Sequence, residues 1–280
     1  LVKGNLIYEN NKLFLEEGNL FVNGDRLNLF GQLNLNNQDV YAKLKGESIG
    51  LTVLNNYLDF HIEEDNEIDI STTIKGKINN PLIKGEIVSE KLTYKEYTVN
   101  DLTVDFSYST SQLTVDNFNF AFDEINFIGK GTVFIAEDFN FAQSNIDFSL
   151  ESEEIDYQKA AQYFEFELPV RGELTPTINI TGKLADIEAT GHFISNNTVV
   201  HYNGQEFNFD QVEATLTGSL EENRLELIDS VLRKDNLNIQ IEGAYQNNSI
   251  DFNFAADNFI LEELQLIEEA SGIFDIDGKI

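Results

Sequence analysis

The sequence predicts an all-β protein, an antiparallel sheet assembled from repeated modules with short helices between them. Three observations carry this. Apolar and polar residues alternate almost without a break from Leu113 to Leu150, and glycines recur in a shared frame about every 100 residues. Strand-length runs are separated by turn chemistry such as Asn23-Gly24, Asn79-Asn80-Pro81 and Asn203-Gly204. With 18 Gly, only 3 Pro, 22 Phe and 10 Tyr among 280 residues, the composition suits many strands with few hard breaks.

Near the N-terminus, LFLEEGNLFVNGDRLNLFGQL reads as a doublet of alternating strands running to Gly31. The design returns in LTVDNFNFAFDEINFIGKGTV with Gly131 and in LELIDSVLRKDNLNIQIEGAY with Gly243. Between the doublets lies a second frame, apolar-x-Gly-Lys-apolar, in TIKGKI, NITGKL and DIDGKI, whose glycines are Gly76, Gly182 and Gly278. They are spaced by 106 and 96 residues, and in the first two copies another glycine follows nine residues on, at Gly85 and Gly191. A period this long exceeds common solenoid units, so each module is a meander of six or seven strands. The approximate modules are 1–75 (partial), 76–181 and 182–277. The chain opens and stops in mid-pattern, so it reads as a fragment of a longer protein.

The central stretch is the most legible. Leu113 and Val115 point one way. After a one-residue shift of phase at Asn117, Phe118, Phe120 and Phe122 continue on that side, while Asn119 and Asp123 face the other. The next strands repeat the device with Phe127, Val133 and Ile135, then with Phe139, Phe141, Ile146, Phe148 and Leu150. Gly129 and Gly131 mark a bend, a bulge or a close backbone approach. Farther on, Ile178 and Ile180, Phe207 and Phe209, Ile239 and Ile241, and Phe252 and Phe254 are the matching apolar pairs. The alternation breaks at Ile49 to Leu58, Ile155 to Phe164 and Ile260 to Ala270. The last two have helical spacing (Ala160, Ala161 and Phe164; Leu261, Leu264 and Ile267) and predict single short helices acting as plugs or spacers.

Charge narrows the function. Eighteen basic against 49 acidic residues leave −31, a field that repels nucleic acid and anionic membranes. The acids fall mostly between apolar residues, on the wet side of strands, and a heavily solvated outer face accounts for them better than a salt-rich habitat or a Ca²⁺-binding exterior. The absence of Cys excludes disulfides and thiolate metal sites and leaves the redox compartment open. No run reaches the roughly 20 apolar residues of a membrane-spanning helix.

A search for chemistry yields no active site. His61, His192 and His201 lie in separate strand contexts without metal-binding spacing, and neither a nucleophile elbow nor a phosphate-binding glycine loop occurs. Asp275-Ile276-Asp277-Gly278 opens like a calcium loop but lacks the rest, and Gly278 already belongs to the repeat. Glu63-Glu64-Asp65 and Glu153-Glu154 read as turn and surface charges. No catalytic residue, metal or cofactor is expected.

The apolar face then decides the function: a sandwich or small barrel would fill it with other side chains, and an open sheet would leave a groove. Here the glycine frames carry a resemblance. GKINNPLIKGEIVSEKLTYKEYTVNDLTVDFSY and ITGKLADIEATGHFISNNTVVHYNGQEFNFDQVEATL resemble the repeats of the TamB (translocation and assembly module) branch of the AsmA-like family, most firmly from Ile68 to Gly243. The second copy lacks the proline that the first has at Pro81. The resemblance implies an elongated, curled (U-shaped) sheet and a periplasmic protein anchored in the inner membrane by a segment outside this chain. It implies a groove that carries phospholipid or another acyl lipid towards the outer membrane, with an outer-membrane assembly factor as partner. The expected groove lining is Val115, Phe118, Phe120, Phe122, Val133, Ile135, Ile146, Phe148, Leu150, Ile178, Ile180, Phe207, Phe209, Ile239, Ile241, Phe252 and Phe254, with Gly76, Gly85, Gly131, Gly182, Gly191, Gly243 and Gly278 as structural glycines. The competing readings are a structural or adhesive β-repeat stalk with a packed face and, further off, an outer-membrane β-barrel.

Overall fold

The protein is all-β and antiparallel. The structure, a computed structural model, describes residues 2–22, 24–56, 62, 65–95, 97–136, 143–162, 170–184, 186–202, 204–219, 224–246, 249–260 and 273–279. The chain divides into two compact units, Leu1–Ile146 and Asp147–Ile280.

In the first unit nine strands follow one another as a meander: β1 (Val2–Glu9), β2 (Lys12–Val22), β3 (Asp25–Asn34), β4 (Asp39–Gly50), β5 (Glu67–Lys77), β6 (Asn80–Tyr94), β7 (Tyr97–Ser109), β8 (Gln112–Phe122) and β9 (Ile125–Phe134). Each pairs antiparallel with the next. Three of the hairpins turn on two residues that both have positive φ: Asn10-Asn11 (50° and 59°), Thr110-Ser111 (52° and 65°) and Asp123-Glu124 (48° and 65°). That backbone matches the right-handed twist of the flanking strands. A 3₁₀ turn at Leu51–Asn56 occupies most of the break at Ile49 to Leu58. The buried Asn66 fastens the following segment: its Nδ2 donates to the Thr93 carbonyl at 2.8 Å, and the Thr93 amide donates to its Oδ1 at 2.6 Å.

The second unit holds the rest of β10 (Asn145–Ser152), the two-residue β11 (Ile155–Asp156), α1 (Tyr157–Gln162), β12 (Val170–Lys183), β13 (Asp186–Tyr202), β14 (Gln205–Ser219), β15 (Arg224–Lys234), β16 (Leu237–Gln246), β17 (Ser249–Ile260) and β18 (Ile273–Lys279). β11 and β10 both pair with β12, and from β12 to β18 the chain is again an antiparallel meander. The helix expected over Ile155 to Phe164 is α1, six residues long and preceded by β11. The Asp156 side chain accepts from the Gln158 amide at 2.7 Å, which starts the helix in the usual N-cap manner. Of the helix expected at Ile260 to Ala270, Ile260 is the last residue of β17 and residues 261–270 lie outside the described residues, as do Phe164, Phe139, Phe141 and His61.

The repeat is visible in the ladders. Gly76 (φ 112°) pairs with Pro81 and Gly182 (φ 107°) with Ile187, each one residue before the last pair of its hairpin. Glu67 and Glu173, Gly85 and Gly191, and Ser89 and Ser195 share the spacing of 106 residues. They also share a contact, since Ser89 Oγ donates to the Glu67 carbonyl at 2.6 Å and Ser195 Oγ to the Glu173 carbonyl at 2.5 Å. The doublets recur as β2–β3, β8–β9 and β15–β16. In each, the first strand takes three steps where its partner takes two: Leu15 to Gly18 against Gly31 to Leu29, Val115 to Phe118 against Gly131 to Gly129, and Leu227 to Ser230 against Gly243 to Ile241. The phase shift read at Asn117 is therefore a β-bulge, and the doublet glycines sit opposite it.

Candidate functional site

Because residues opposite one another in an antiparallel pair share a face, the register settles which side chains lie together. In the first unit one row runs Leu20, Leu27, Gly46, Ile70, Ile87, Val104, Phe118 and Gly129 across β2 to β9. The next row is Gly18, Leu29, Leu44, Thr72, Gly85, Phe106, Val115 and Gly131, and the one beyond is Leu15, Gly31, Ala42, Ile74, Ile83, Tyr108, Leu113 and Val133. These three rows form one apolar face. The rows between them are polar, as in Asn28, Lys45, Ser71, Glu86 and Asp105.

At β8 and β9 the face becomes aromatic. Phe120 pairs with Phe127 and their rings stack with centroids 5.1 Å apart and planes 12° apart, while Phe118 lies 5.1 Å from Phe120 at 43°. Phe122 meets Tyr97 at 6.2 Å. The glycines of the face make room for rings: a Cβ on Gly85 would stand 2.6 Å from the Phe106 ring and 2.9 Å from the Ser71 carbonyl oxygen, and one on Gly191 would stand 2.7 Å from the Phe193 ring.

This face lacks a second layer among the described residues. Leu27, Ala42 and Val115 are buried, but Leu20, Leu29, Leu44, Ile70, Ile87, Val104, Phe118 and Phe120 are only half-buried. At the β1 end the face opens into a shallow apolar depression of about 230 Å³ between Leu6, Leu13, Leu29, Leu33, Val40 and Ala42. Leu6 is 66% exposed there. Among the described residues β1 and β9 do not pair with each other, so the first unit is an open sheet.

The second unit repeats the pattern. Ile178, Gly191, Leu216, Leu227, Gly243 and the backbone of Phe252 form one row across β12 to β17, and Ile180, Ala189, Gly218 and Leu225 form its neighbour. Leu232 pairs with Ile239 and Ser230 with Ile241, which is opposite Phe254 on β17. Phe209 is buried opposite Thr198, and Phe207 is half-buried opposite Val200. Within β10, Ile146 is buried and Phe148 and Leu150 are half-buried, while Asp147 is exposed.

Of the expected lining residues, the register thus brings Val115, Phe118, Phe120, Phe122 and Val133 onto one face of the first unit, with Ile135 just past the end of β9. It brings Ile178, Ile239 and Ile241 onto the ladders of the second. Sequence reasoning missed the contribution of β2 to β7, whose Leu20, Leu27, Leu44, Ile70, Ile87 and Val104 make up most of the face. The signal was present in their alternation, but bulges at Glu17 (φ 50°), Ser48 (φ 48°) and Asp101 (φ 52°) interrupt its phase.

Among the described residues the histidines stand apart from one another. His192 Nδ1 lies 3.2 Å from Thr215 Oγ1 on a polar row, and His201 Nδ1 lies 3.5 Å from Glu206 Oε1 across its ladder pair. Among the described residues no group of three His, Asp or Glu side chains is placed to hold a metal. The hydrogen bond to Glu154 and that group's charge, with smaller contributions from desolvation and Asp156, raise the Glu173 carboxyl above its ordinary value. No helix of the described residues is long and apolar enough to cross a membrane. The chain matches no protein-family model, no curated protein and no solved structure.

Proposed function

We propose that the chain is a module of a bridge-like lipid-transfer protein, in which the apolar faces carry acyl chains past water between two membranes. The observation that carries this reading is the half-buried apolar face of β2 to β9, kept in register through every strand pair. A packed stalk would bury the same residues.

The energetics favour such a use. Each methylene of a lipid tail exposed to water costs roughly 0.8 kcal/mol, so a 16-carbon chain in water carries a penalty on the order of 12 kcal/mol. Nine strands about 4.8 Å apart make a face roughly 38 Å across, and Phe118, Phe120 and Phe127 offer it flat, deformable apolar surface. Motion of a tail over such a surface is diffusive, from one apolar contact to the next. The glycine frames that resemble TamB repeats supply the setting: the periplasm of a double-membrane bacterium, an inner-membrane anchor outside this chain, and delivery of phospholipid towards the outer membrane.

The test is mass spectrometry of lipids extracted from the chain purified without detergent from cells. Phospholipid at a fixed stoichiometry is expected. A blank in a correctly folded preparation overturns the reading and leaves a structural sheet.

A further inference from the structure

The hairpin connections of the first unit fall on two rims, because the strands of an antiparallel meander turn alternately at opposite ends. One rim carries residues 9–12, 34–39, 77–80 and 109–112, and the other carries 22–25, 50–67, 94–97 and 122–125. Counted from the last residue of one strand to the first of the next, the first rim holds two acids and two bases, and the second holds nine acids and one base. A chain of net charge −31 thus keeps one rim of this unit neutral.

The neutral rim is also the apolar one. Its connections are tied side by side: the Leu35 amide donates to the Asn11 carbonyl at 2.9 Å, the Ile78 amide to the Gln38 carbonyl at 3.0 Å and the Thr110 hydroxyl to Asn80 Oδ1 at 3.3 Å. Along this line Tyr8, Leu35 and Ile78 are 62%, 46% and 53% exposed. On the acidic rim Tyr97 alone is an exposed large apolar residue among the described ones, and its ring meets Phe122. Two-residue hairpin loops call for Gly, Asn, Asp or Ser, which fold the turn and hydrate well, and Ile78 is none of these. The second unit places Leu184, 41% exposed, at the same point of its own Gly-Lys frame, 106 residues on, in a connection (183–186) with one base and one acid. Turn geometry does not select an exposed Ile and an exposed Leu at equivalent positions; an apolar partner does.

We propose that the neutral rim rests on a zwitterionic lipid bilayer, with Leu35 and Ile78 of the first unit, and Leu184 of the second, inserted at the boundary of headgroups and acyl chains. The charge partition selects this occupant. The 11 residues of β5 separate the two rims by about 35 Å, roughly four screening lengths at physiological salt, so the acidic rim exerts little repulsion at the neutral one. Two copies of the chain meeting at a few spaced side chains would bury far less than the roughly 1,200 Å² of a stable interface. The purpose of the contact rests on the lipid-carriage reading: of the three apolar rows, Leu15, Gly31, Ala42, Ile74 and Ile83 run nearest this rim, so a tail leaving the bilayer crosses it directly onto apolar surface.

The chain has no cysteine, so Ile78→Cys, Leu184→Cys and, on the acidic rim, Asp123→Cys each place one environment-sensitive dye on the whole chain. With vesicles of phosphatidylcholine and phosphatidylethanolamine, dye at 78 and 184 should shift to the blue and be quenched by nitroxide lipid, while dye at 123 stays unchanged. Leu35→Ser/Ile78→Ser/Leu184→Ser should float with the vesicles at least about tenfold less, with the circular dichroism spectrum preserved, and added salt should leave binding of the parent chain unaltered. No shift at 78 or 184, or an equal shift at 123, overturns the proposal. So does a blue shift without vesicles in a chain that sediments as a dimer, which would put a second copy on the rim. Failure of vesicle contact in a chain that carries co-purified phospholipid removes the rim and leaves lipid carriage standing; vesicle contact by a lipid-free chain upholds the rim while carriage fails.

Discussion

Single residues set the tolerances of this sheet, glycines and serines above all. Gly85 has no room for a methyl group, because the Ser71 carbonyl oxygen lies on one side and the Phe106 ring on the other. Gly85→Ala should therefore destabilise the first unit by about 1–3 kcal/mol, read from the denaturant midpoint, as overpacking against backbone does. Ser195 is buried with its hydroxyl on the Glu173 carbonyl and beside the Thr198 hydroxyl, 2.8 Å away. Ser195→Ala leaves that carbonyl short of a donor and should cost about 1–3 kcal/mol. Glu173 behaves in the opposite sense. Its carboxyl holds its proton more tightly folded than unfolded, so stability is greatest below the ordinary carboxylate value and falls as pH rises through the raised one. Glu173→Gln should accordingly raise the melting temperature at pH 7, and the gain should vanish on acidification through that window. An equal gain at both ends would show that Glu154 and Glu173 do not interact.

At the scale of elements, the bulge in β8 is the most informative device. Val115 and Phe118 are three residues apart yet share a face, because the ladder gives β8 one more residue than β9 between them. Deleting Asn117 should regularise the pairing with Phe118, Phe120 and Phe122 still on the apolar side, and the protein should fold. Removal of Asn119 instead turns Phe120 and Phe122 to the polar side and should abolish the cooperative thermal transition of the first unit. Comparison of the two deletions by circular dichroism and thermal melting decides the matter, and equal effects would mean that register is not what the alternation encodes. The recurrence of the bulge in β2 and β15, opposite Leu29–Gly31 and Ile241–Gly243, shows that the doublets of the sequence are one structural unit used three times.

For the molecule as a whole, the open apolar face makes a charge there survivable. Phe120→Asp removes the stack on Phe127, a loss of about 0.5–1.5 kcal/mol beyond buried area, yet on a half-buried surface the carboxylate remains hydrated. The variant should fold while losing bound lipid, and photo-crosslinking residues at positions 120 and 148 should give lipid adducts in cells where those at 119 and 147 do not. Unfolding of Phe120→Asp would signify a dry, covered face. The all-β class, the antiparallel order and the phase shift at Asn117 were legible in the sequence, because side-chain alternation and turn chemistry are local properties of the chain. The equivalence of Gly76 and Gly182 was legible too, since a repeated backbone conformation selects the same residue twice. Only the tertiary structure decided that Leu20, Ile70, Val104 and Phe118 stand in one row and that Leu35 and Ile78 share one rim. Register sums over every bulge and turn between distant strands, and one residue gained or lost in any of them moves a side chain to the other face.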